Sequence, residues 1–458
     1  MRVIICGAGQ VGYGIAERLS SELNDVSVID TSPELIQAVR DSLDVRGFVG
    51  HGSHPEVLEA AGAQQADMII AVTLYDEVNI VACEIAHALF NVPTKIARIR
   101  SQAYLQPQYL DLFSREHMPI DVIISPEQEV GEMVLRRIEL PGAMDVVRFA
   151  EGRIVALAIE CLEDCPVLNT PLKQLTDLFP NLHSTVVGIV RRGKLFIPHS
   201  GDQMMVGDIA YVLTQKDQVR RVLSLFGHEE PEAKRIVIAG GGNIGLHVAR
   251  TIERRQSRTR IKIIEHDRER AVRIADQLRR TVVLNGSALD NKLLHEADIH
   301  DADLMVALTN NDQVNILSGA MAKGLGCKAN LVLLNNPAYH DLSKTLGIDA
   351  YVNPRSVTIS RVLQHVRRGR IRAVHSVEQG AAEIIEAEAL ETSPLVGPAL
   401  RELDLPSGMR IGAILRDNEV LTPSGSVRIK PKDRVVIFVT REAVKQVEQL
   451  FRVSLEFF

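Results

Sequence analysis

The chain has 458 residues, 52 basic against 58 acidic side chains for a net charge of −6, and is 46% hydrophobic and 24% charged. At about 150 residues per domain this is a folded chain of about three domains, which excludes a disordered or fibrous protein. Tryptophan is absent and aromatics reach only 4%; without stacking platforms, and with net acidity opposing phosphate-backbone binding, no nucleic-acid partner is expected.

The N-terminus, MRVIICGAGQ, runs straight into a strand without an apolar h-region or a cleavage site, so no signal peptide is expected. Apolar runs such as Met68 to Val72 and Val435 to Val439 are strand-sized, short of the roughly 20 residues of a membrane-spanning helix. Five cysteines (Cys6, Cys83, Cys161, Cys165, Cys327) are scattered and odd in number. That pattern supports neither a disulfide framework nor a zinc site, and favours a cytoplasmic location.

Strands are expected near 2–6, 26–30, 45–49, 68–72 and 95–99, alternating with helices near 11–22, 32–42, 54–61 and 77–90. Such alternation implies a parallel, doubly wound sheet. Ser125-Pro126 then opens a helix, Ser as cap and Pro as first residue, which runs to about Ile138 and stops at Pro141-Gly142. Short strands, a turn at Arg192-Gly193 and a terminal helix read as a small α+β module, and the polar stretch 227–234 (GHEEPEAK) as a linker.

The order then repeats. GAGQVG at 7–12 returns as GGGNIG at 240–245, an offset of 233. The segment GHGSHPEVLEAAGAQQADMIIAVT from Gly50 matches GSALDNKLLHEADIHDADLMVALT from Gly286 at a constant offset of 236. Asn353-Pro354 opens a counterpart helix to Val366, ended by Gly369. The segment from Ile189 returns at Ile414, an offset of 225 held by Pro198/Pro423 and Asp208/Asp433, with Ser424-Gly425 as its turn signal. The architecture is A–B–A′–B′: two Rossmann-like parallel-sheet domains of the α/β class, expected at 1–142 and 235–369, each followed by a small α+β domain, at 143–227 and 370–458.

Gly7, Gly9 and Gly12 have dinucleotide-loop spacing between a strand and a helix, with Gln10 and Val11 of the same loop also expected at the cofactor. The first glycine permits the tight turn, the second lets a pyrophosphate approach the backbone, and the third lets helix and strand pack closely. The helix N-terminus offers free N–H groups and positive dipole to phosphates. Asp30 ends the second strand, where a carboxylate accepts ribose hydroxyls and repels a 2′-phosphate, so NAD(H) is favoured over NADP(H). In A′ the counterparts are Gly240, Gly242, Asn243, Ile244, Gly245 and Glu265, with Arg268 close behind blurring the preference. His51, Gly52 and Ser53 follow the third strand at the ligand edge and could meet adenine or ribose; the plainer reading is a loop with Ser53 capping the next helix. Thr73 and Thr309 end the fourth strands at the ligand edge, followed by Asp76 and Asn79 and by Asp312 and Asn315, with helix capping expected of the acids and ligand contact the alternative. Arg98 and Arg100 fall on the fifth strand, on one face by alternation, placed to reach phosphates or an acidic neighbour; the echo has Leu333 and Asn335. Residues 250–280 hold 11 Lys/Arg against 5 Asp/Glu, which reads as a solvated helix face or a docking patch.

Catalytic equipment is absent from this pattern. There is no GxSxG elbow and no Walker A motif, and the B modules are too small and too alike to form the substrate domain of a hydride-transfer enzyme. An NAD-dependent oxidoreductase with duplicated cofactor domains stays open as an alternative reading.

GAGQVG at 7, Asp30, GHGSHPEVLEAAGAQQADM at 50, IARIRS at 96, ISPEQ at 124 and PGAMDVV at 141 together resemble the TrkA family, the cytosolic regulatory subunits of bacterial Trk potassium-uptake systems built from tandem RCK (KTN) modules. The resemblance spans the whole chain, A and A′ resembling the RCK N-terminal Rossmann domain and B and B′ the TrkA-C domain. It implies a protein peripheral on the cytoplasmic face of the inner membrane, bound to a potassium-translocating membrane subunit and assembled as a ring-like homo-oligomer, dimer or tetramer. Regulation of a potassium-efflux antiporter is a further alternative. It also implies NAD(H), with ATP or ADP as further ligands. By the same resemblance Gly7, Gly9, Gly12 and Asp30 hold the dinucleotide in A, Arg98 and Arg100 form the basic fifth-strand motif, and Gly240, Gly242, Gly245 and Glu265 are the A′ counterparts. Where many members carry an acid after the glycine of the third-strand motif, this chain has His51 and Ser287.

Overall fold

The computed structural model describes every residue except 115–116, 180, 256–257, 340–341, 343–344, 367–370 and 452–458. Its first segment folds as β1 (Arg2–Cys6), α1 (Gln10–Ser21), β2 (Asp25–Asp30), α2 (Pro33–Ser42), β3 (Arg46–Val49), α3 (Pro55–Ala60), β4 (Met68–Ala71), α4 (Asp76–Ala88), β5 (Thr94–Arg98), β6 (Val122–Ile124) and α5 (Pro126–Glu139). The strands form one parallel sheet in the order β3-β2-β1-β4-β5-β6. Val3 to Cys6 and Met68 to Ala71 are buried on both faces, which is why these strands read as unbroken apolar runs. The order reverses between β1 and β4, where open α/β sheets hold ligands.

The first small module contains β7 (Ala143–Phe149), β8 (Ile154–Glu160), α6 (Leu172–Leu178), β9 (Ser184–Arg191), β10 (Lys194–Phe196), β11 (Ile209–Gln215) and α7 (Val219–Leu225). Its sheet runs β10-β9-β11-β8-β7. Arg192 and Gly193 both take positive φ, 51° and 74°, and close the β9–β10 hairpin as a two-residue turn does.

The second Rossmann domain repeats the first: β12 (Arg235–Ala239), α8 (Asn243–Arg255), β13 (Arg260–Glu265), α9 (Arg268–Ala275), β14 (Val282–Asn285), α10 (Asn291–Glu296), β15 (Leu304–Ala307), α11 (Asp312–Gly324), β16 (Ala329–Leu333), β17 (Ala350–Val352) and α12 (Pro354–Val366). Its parallel order, β14-β13-β12-β15-β16-β17, is the same. The last module has β18 (Ile371–Val377), β19 (Ala382–Glu388), β20 (Met409–Arg416), β21 (Glu419–Leu421), β22 (Arg434–Thr440) and α13 (Val444–Leu450), in the order β18-β19-β22-β20-β21. Its hairpin turn is Asp417-Asn418, at φ 46° and 72°; the Ser424-Gly425 signal falls in the loop after β21. The expected helix stop at Gly369 lies outside the described residues.

Like modules pack with like, against chain order. One compact unit is Met1–Leu135 with Ala233–His365, the other Arg136–Glu232 with Val366–Phe458. In the first unit α1 meets α12 and α8 meets α5. A Cβ on Gly14 would lie 2.4 Å from Ile359 Cδ1, and one on Gly131 2.5 Å from the His247 ring. Since 14 + 233 = 247 and 359 − 228 = 131, with 354 − 126 = 228, the two contacts are pseudo-equivalent. Ion pairs Arg361–Glu129 (3.0 Å) and His247–Glu132 (3.3 Å) flank them.

In the second unit the two sheets share an apolar layer that includes Phe149, Tyr211, Leu213, Ile384, Val436 and Phe438. Burying a side chain such as Phe438 contributes about 2–3 kcal/mol. Arg434 bridges Glu386 and Glu151 across that layer's rim, and His375 Nε2 lies 2.8 Å from Asp145 Oδ2. The expected linker is partly tied down here: the His228 ring, nearly buried, meets the Glu160 carbonyl at 3.0 Å, and Arg220 pairs with Glu232.

Candidate functional site: a nucleotide cleft in the first Rossmann domain

Gly7 turns the chain out of β1 at φ +109°, its N–H donating to the Ile29 carbonyl at 2.8 Å. A Cβ on Gly12 would lie 1.7 Å from the Gly7 carbonyl oxygen, so only glycine lets α1 sit this close to the turn. A Cβ on Gly9 would meet nothing within 4 Å. That is the glycine over which the cleft opens, at the helix end whose first-turn N–H groups have no intrahelical partner.

Asp30 closes this turn from β2. One carboxylate oxygen accepts the Ala8 N–H at 2.6 Å and the other the Ser32 N–H at 2.9 Å. Each oxygen keeps a second lone pair, and Asp30, half-buried, faces the cleft. The cleft has a volume of about 430 Å³, within the usual range for small-molecule and cofactor sites. Of the sequence-predicted residues, Gly7, Gly9, Gln10, Val11, Asp30, His51, Gly52, Thr73 and Arg98 line it; Gly12, Ser53 and Arg100 do not.

Several expectations are corrected here. Ser53 does not cap α3; His54 is its N-cap, and the Ser53 hydroxyl meets His51 Nδ1 at 2.7 Å. Asp76 does not cap α4. Its carboxylate accepts the backbone N–H groups of Arg100 and Ser101 at 2.8–3.1 Å, fastening the loop after β5. Asp312 does the same for Asn335 and Asn336, while Asn311 caps α11. Asn79 is fully buried; it accepts from the Thr73 N–H and hydroxyl and donates to the Thr73 and Arg98 carbonyls. Thr73 therefore stands in the cleft wall with its hydroxyl already engaged.

The two fifth-strand arginines part company, because β5 ends at Arg98. Arg100 lies in the loop beyond, its Nε donating to Glu127 Oε1 at 2.9 Å; this is the acidic neighbour among the alternatives. Arg98 lines the cleft with its Nε buried and without a hydrogen-bond partner among the described residues. Burial pushes its pKa below the ordinary arginine value and the charge of Arg100 pushes the same way, while Glu127 and Asp76 push back without reversing it. A half-buried guanidinium with an unsatisfied Nε fits a bound phosphate.

The A′ loop keeps the scaffold. Gly240 has φ +100°, a Cβ on Gly245 would lie 2.1 Å from the Gly240 carbonyl, and Gly242 faces open space. Asn243 and Ile244 open α8. Thr309 and Asn315 reproduce the Thr73–Asn79 lock. Glu265 differs from Asp30. It is only 4% exposed, its oxygens accept the Gly241 and Asp267 N–H groups, and Arg270 lies 3.6 Å away. Leu333, buried, stands where A has Arg98. In the basic stretch 250–280, Arg250 pairs with Gln277, and Glu253 accepts the N–H groups of Arg279, Arg280 and Thr281. These are the contacts of a solvated helical surface.

Sequence reasoning missed part of the cleft wall: Asn335, Pro354, Arg355 and Thr358 come from the second Rossmann domain. The Asn353-Pro354 signal located α12, and the Asn353 side chain does cap it by accepting the Ser356 N–H at 3.1 Å, but nothing local says which cleft a helix will cover.

The fold and this cleft define a duplicated Rossmann-type α/β protein. The TrkA-N domain matches residues 3–126 and 236–354, and the TrkA-C domain residues 157–227 and 384–452. The "Trk system potassium uptake protein TrkA" of Azorhizobium caulinodans is 61% identical over 458 residues, covering 100% of both chains. Among solved structures, the GsuK RCK domain superposes with a TM-score of 0.60 at 18% identity, covering 98% of this chain and 94% of that one. The GsuK channel bound to NAD gives 0.61 at 18%, covering 98% and 78%; at this identity the likeness is one of fold. The chain belongs to the TrkA family of potassium-uptake proteins. Among the described residues no helix is long and apolar enough to cross a membrane.

Proposed function

We propose that the protein is a nucleotide-sensing regulatory subunit of potassium uptake, binding NAD(H) in the first Rossmann cleft and gating a potassium-translocating membrane subunit from the cytoplasmic face of the inner membrane. The observation that supports this best is the convergence of Gly7, Gly9, Asp30 and Arg98 on one cleft of about 430 Å³. In this reading Asp30 accepts the ribose hydroxyls, the α1 N-terminus and Arg98 hold the pyrophosphate, and the side chains of Ile29, Leu35 and Val72 provide apolar wall. ADP or ATP, sharing the adenosine and phosphates, competes for the same place. The bound cofactor undergoes no chemistry here; it is a ligand whose occupancy biases a conformational equilibrium.

The mechanism is a population shift. Modules assemble in a ring-like homo-oligomer, a ligand favours one ring shape over another, and the membrane subunit follows. A ligand moves that equilibrium only by its affinity difference between the two states, so NADH and ATP can act with opposite sign. The test is potassium flux through the membrane subunit reconstituted in vesicles with the protein, with and without NADH or ATP. Flux that responds to nucleotide in wild type and not in Asp30→Ala supports the reading; flux indifferent to every nucleotide overturns it.

A further inference from the structure

The cleft belongs to the first Rossmann domain, yet part of its wall is α12 of the second. Arg355 is the charged residue in that part. It is half-buried and, among the described residues, has neither a hydrogen bond nor an ion pair. Its position over α1 is fixed by packing. A Cβ on Gly14 would come 3.1 Å from Arg355 Nη2 and 3.3 Å from its Nε, so the guanidinium lies against the second turn of α1. One turn N-terminal on the same helix are Gln10 and Val11 of the cleft wall.

Arg98 approaches the same cleft from β5, also with no hydrogen-bond partner for its Nε. Two guanidinium groups from two domains, neither with a hydrogen bond among the described residues, thus share one cleft; Asp30 is the acid that lines it, and Glu127 and Asp76 bear on Arg98 from behind the wall without bonding it. Like charges converge in this way at a cost unless an anion joins them. The pseudo-equivalent position points the same way: 355 − 228 = 127, and residue 127 is a glutamate whose Oε1 is held by Arg100. The duplication has reversed the charge at this position, adding a cation where the first cleft gains it.

We infer that Arg355 is a phosphate-binding residue supplied by the second Rossmann domain to a nucleotide held in the first, so that the ligand spans the two domains. This rests on the reading of the cleft as a nucleotide site, and it adds that the site is incomplete without the second domain. The consequence is mechanical. A ligand phosphate gripped from both sides ties α12 to α1, whereas one gripped only by the glycine loop would leave the domain pair indifferent to occupancy.

The test titrates NADH and ADP calorimetrically into the purified full chain, as wild type, Asp30→Ala, Arg355→Gln and Arg355→Lys, with the unliganded melting temperature of each. Removal of one charge-assisted contact predicts that Arg355→Gln weakens both ligands about 10- to 150-fold, that Arg355→Lys recovers part of the loss, and that the unliganded melting temperature is unchanged, because the side chain has no partner to lose. If Asp30→Ala weakens binding while Arg355→Gln leaves it within about twofold, the cleft is a nucleotide site and the inference about Arg355 fails. An Arg355→Gln protein that melts well below wild type, with no rescue by lysine, makes the residue structural and also overturns it. If wild type binds neither ligand, the reading of the cleft fails first.

Discussion

The first and second Rossmann domains share one scaffold and differ in what that scaffold holds out to a ligand. Both have a left-handed glycine after the first strand, a glycine jammed against it one helical turn on, and a Thr–Asn lock at the end of the fourth strand. In the first, the acid is a half-buried aspartate facing a cleft with an unpartnered arginine. In the second, the acid is a glutamate buried against the glycine turn and approached by Arg270, and the arginine has become Leu333. Both copies meet the same backbone demands because each needs them to fold; the side chains held out toward a ligand are where the two differ.

If that division is right, mutations of the shared scaffold hurt both domains alike. Gly12→Ala and Gly245→Ala drive a Cβ to 1.7 and 2.1 Å from a carbonyl oxygen; each should cost roughly 4 kcal/mol or more in a urea melt. A large cost at one and none at the other would break the equivalence. Asn79→Ala and Asn315→Ala strand buried backbone groups in the same way and should each cost about 2–3 kcal/mol.

Arg98→Leu converts the first cleft to the residue of the second. Nucleotide affinity should fall by about 1.5–3 kcal/mol, read by titration. Stability of the unliganded protein should hold or rise, since a half-buried cation without a hydrogen-bond partner at Nε is gone. Lower stability with unchanged affinity would make Arg98 a structural residue.

The smallest effect concerns Asp67 and Asp303, related by the 236-residue offset. Each accepts the N–H of its domain's first strand residue, but Asp303 also pairs with Lys328 at 2.7 Å. Burial alone would raise the Asp303 pKa; Lys328 and the Lys234 and Arg235 N–H groups more than reverse this and bring it to about 2. A folded pKa below the unfolded one adds stability that is present above about pH 4 and is lost as the pH falls toward 2. Wild type should therefore lose about 2 kcal/mol across that window that Asp303→Asn does not lose. Equal acid limbs for the two proteins would remove this pair from the account.

Much of this was legible in sequence. Period and glycine spacing are local signals, and they placed both parallel sheets, the glycine turns, the acids and the B modules. β6 and β17 escaped because three-residue strands carry no period. The roles of Asp76 and Asp312 were misread because an acid at a helix start has two uses, and only the fold brings the loop after the next strand within its reach. Arg355 was invisible for a stronger reason: it lines a cleft whose glycine loop lies more than 200 residues earlier in the chain, and its helix showed a capping signal but no address.

The most direct test of the central claim, that nucleotide binding resides in the first cleft through Asp30, is titration of NADH into wild type, Asp30→Ala and Glu265→Ala. NADH should bind wild type saturably, bind Asp30→Ala about 10- to 150-fold more weakly, and keep its affinity for the same event in Glu265→Ala. NADH binding that survives Asp30→Ala intact, or that disappears with Glu265→Ala instead, would contradict that claim.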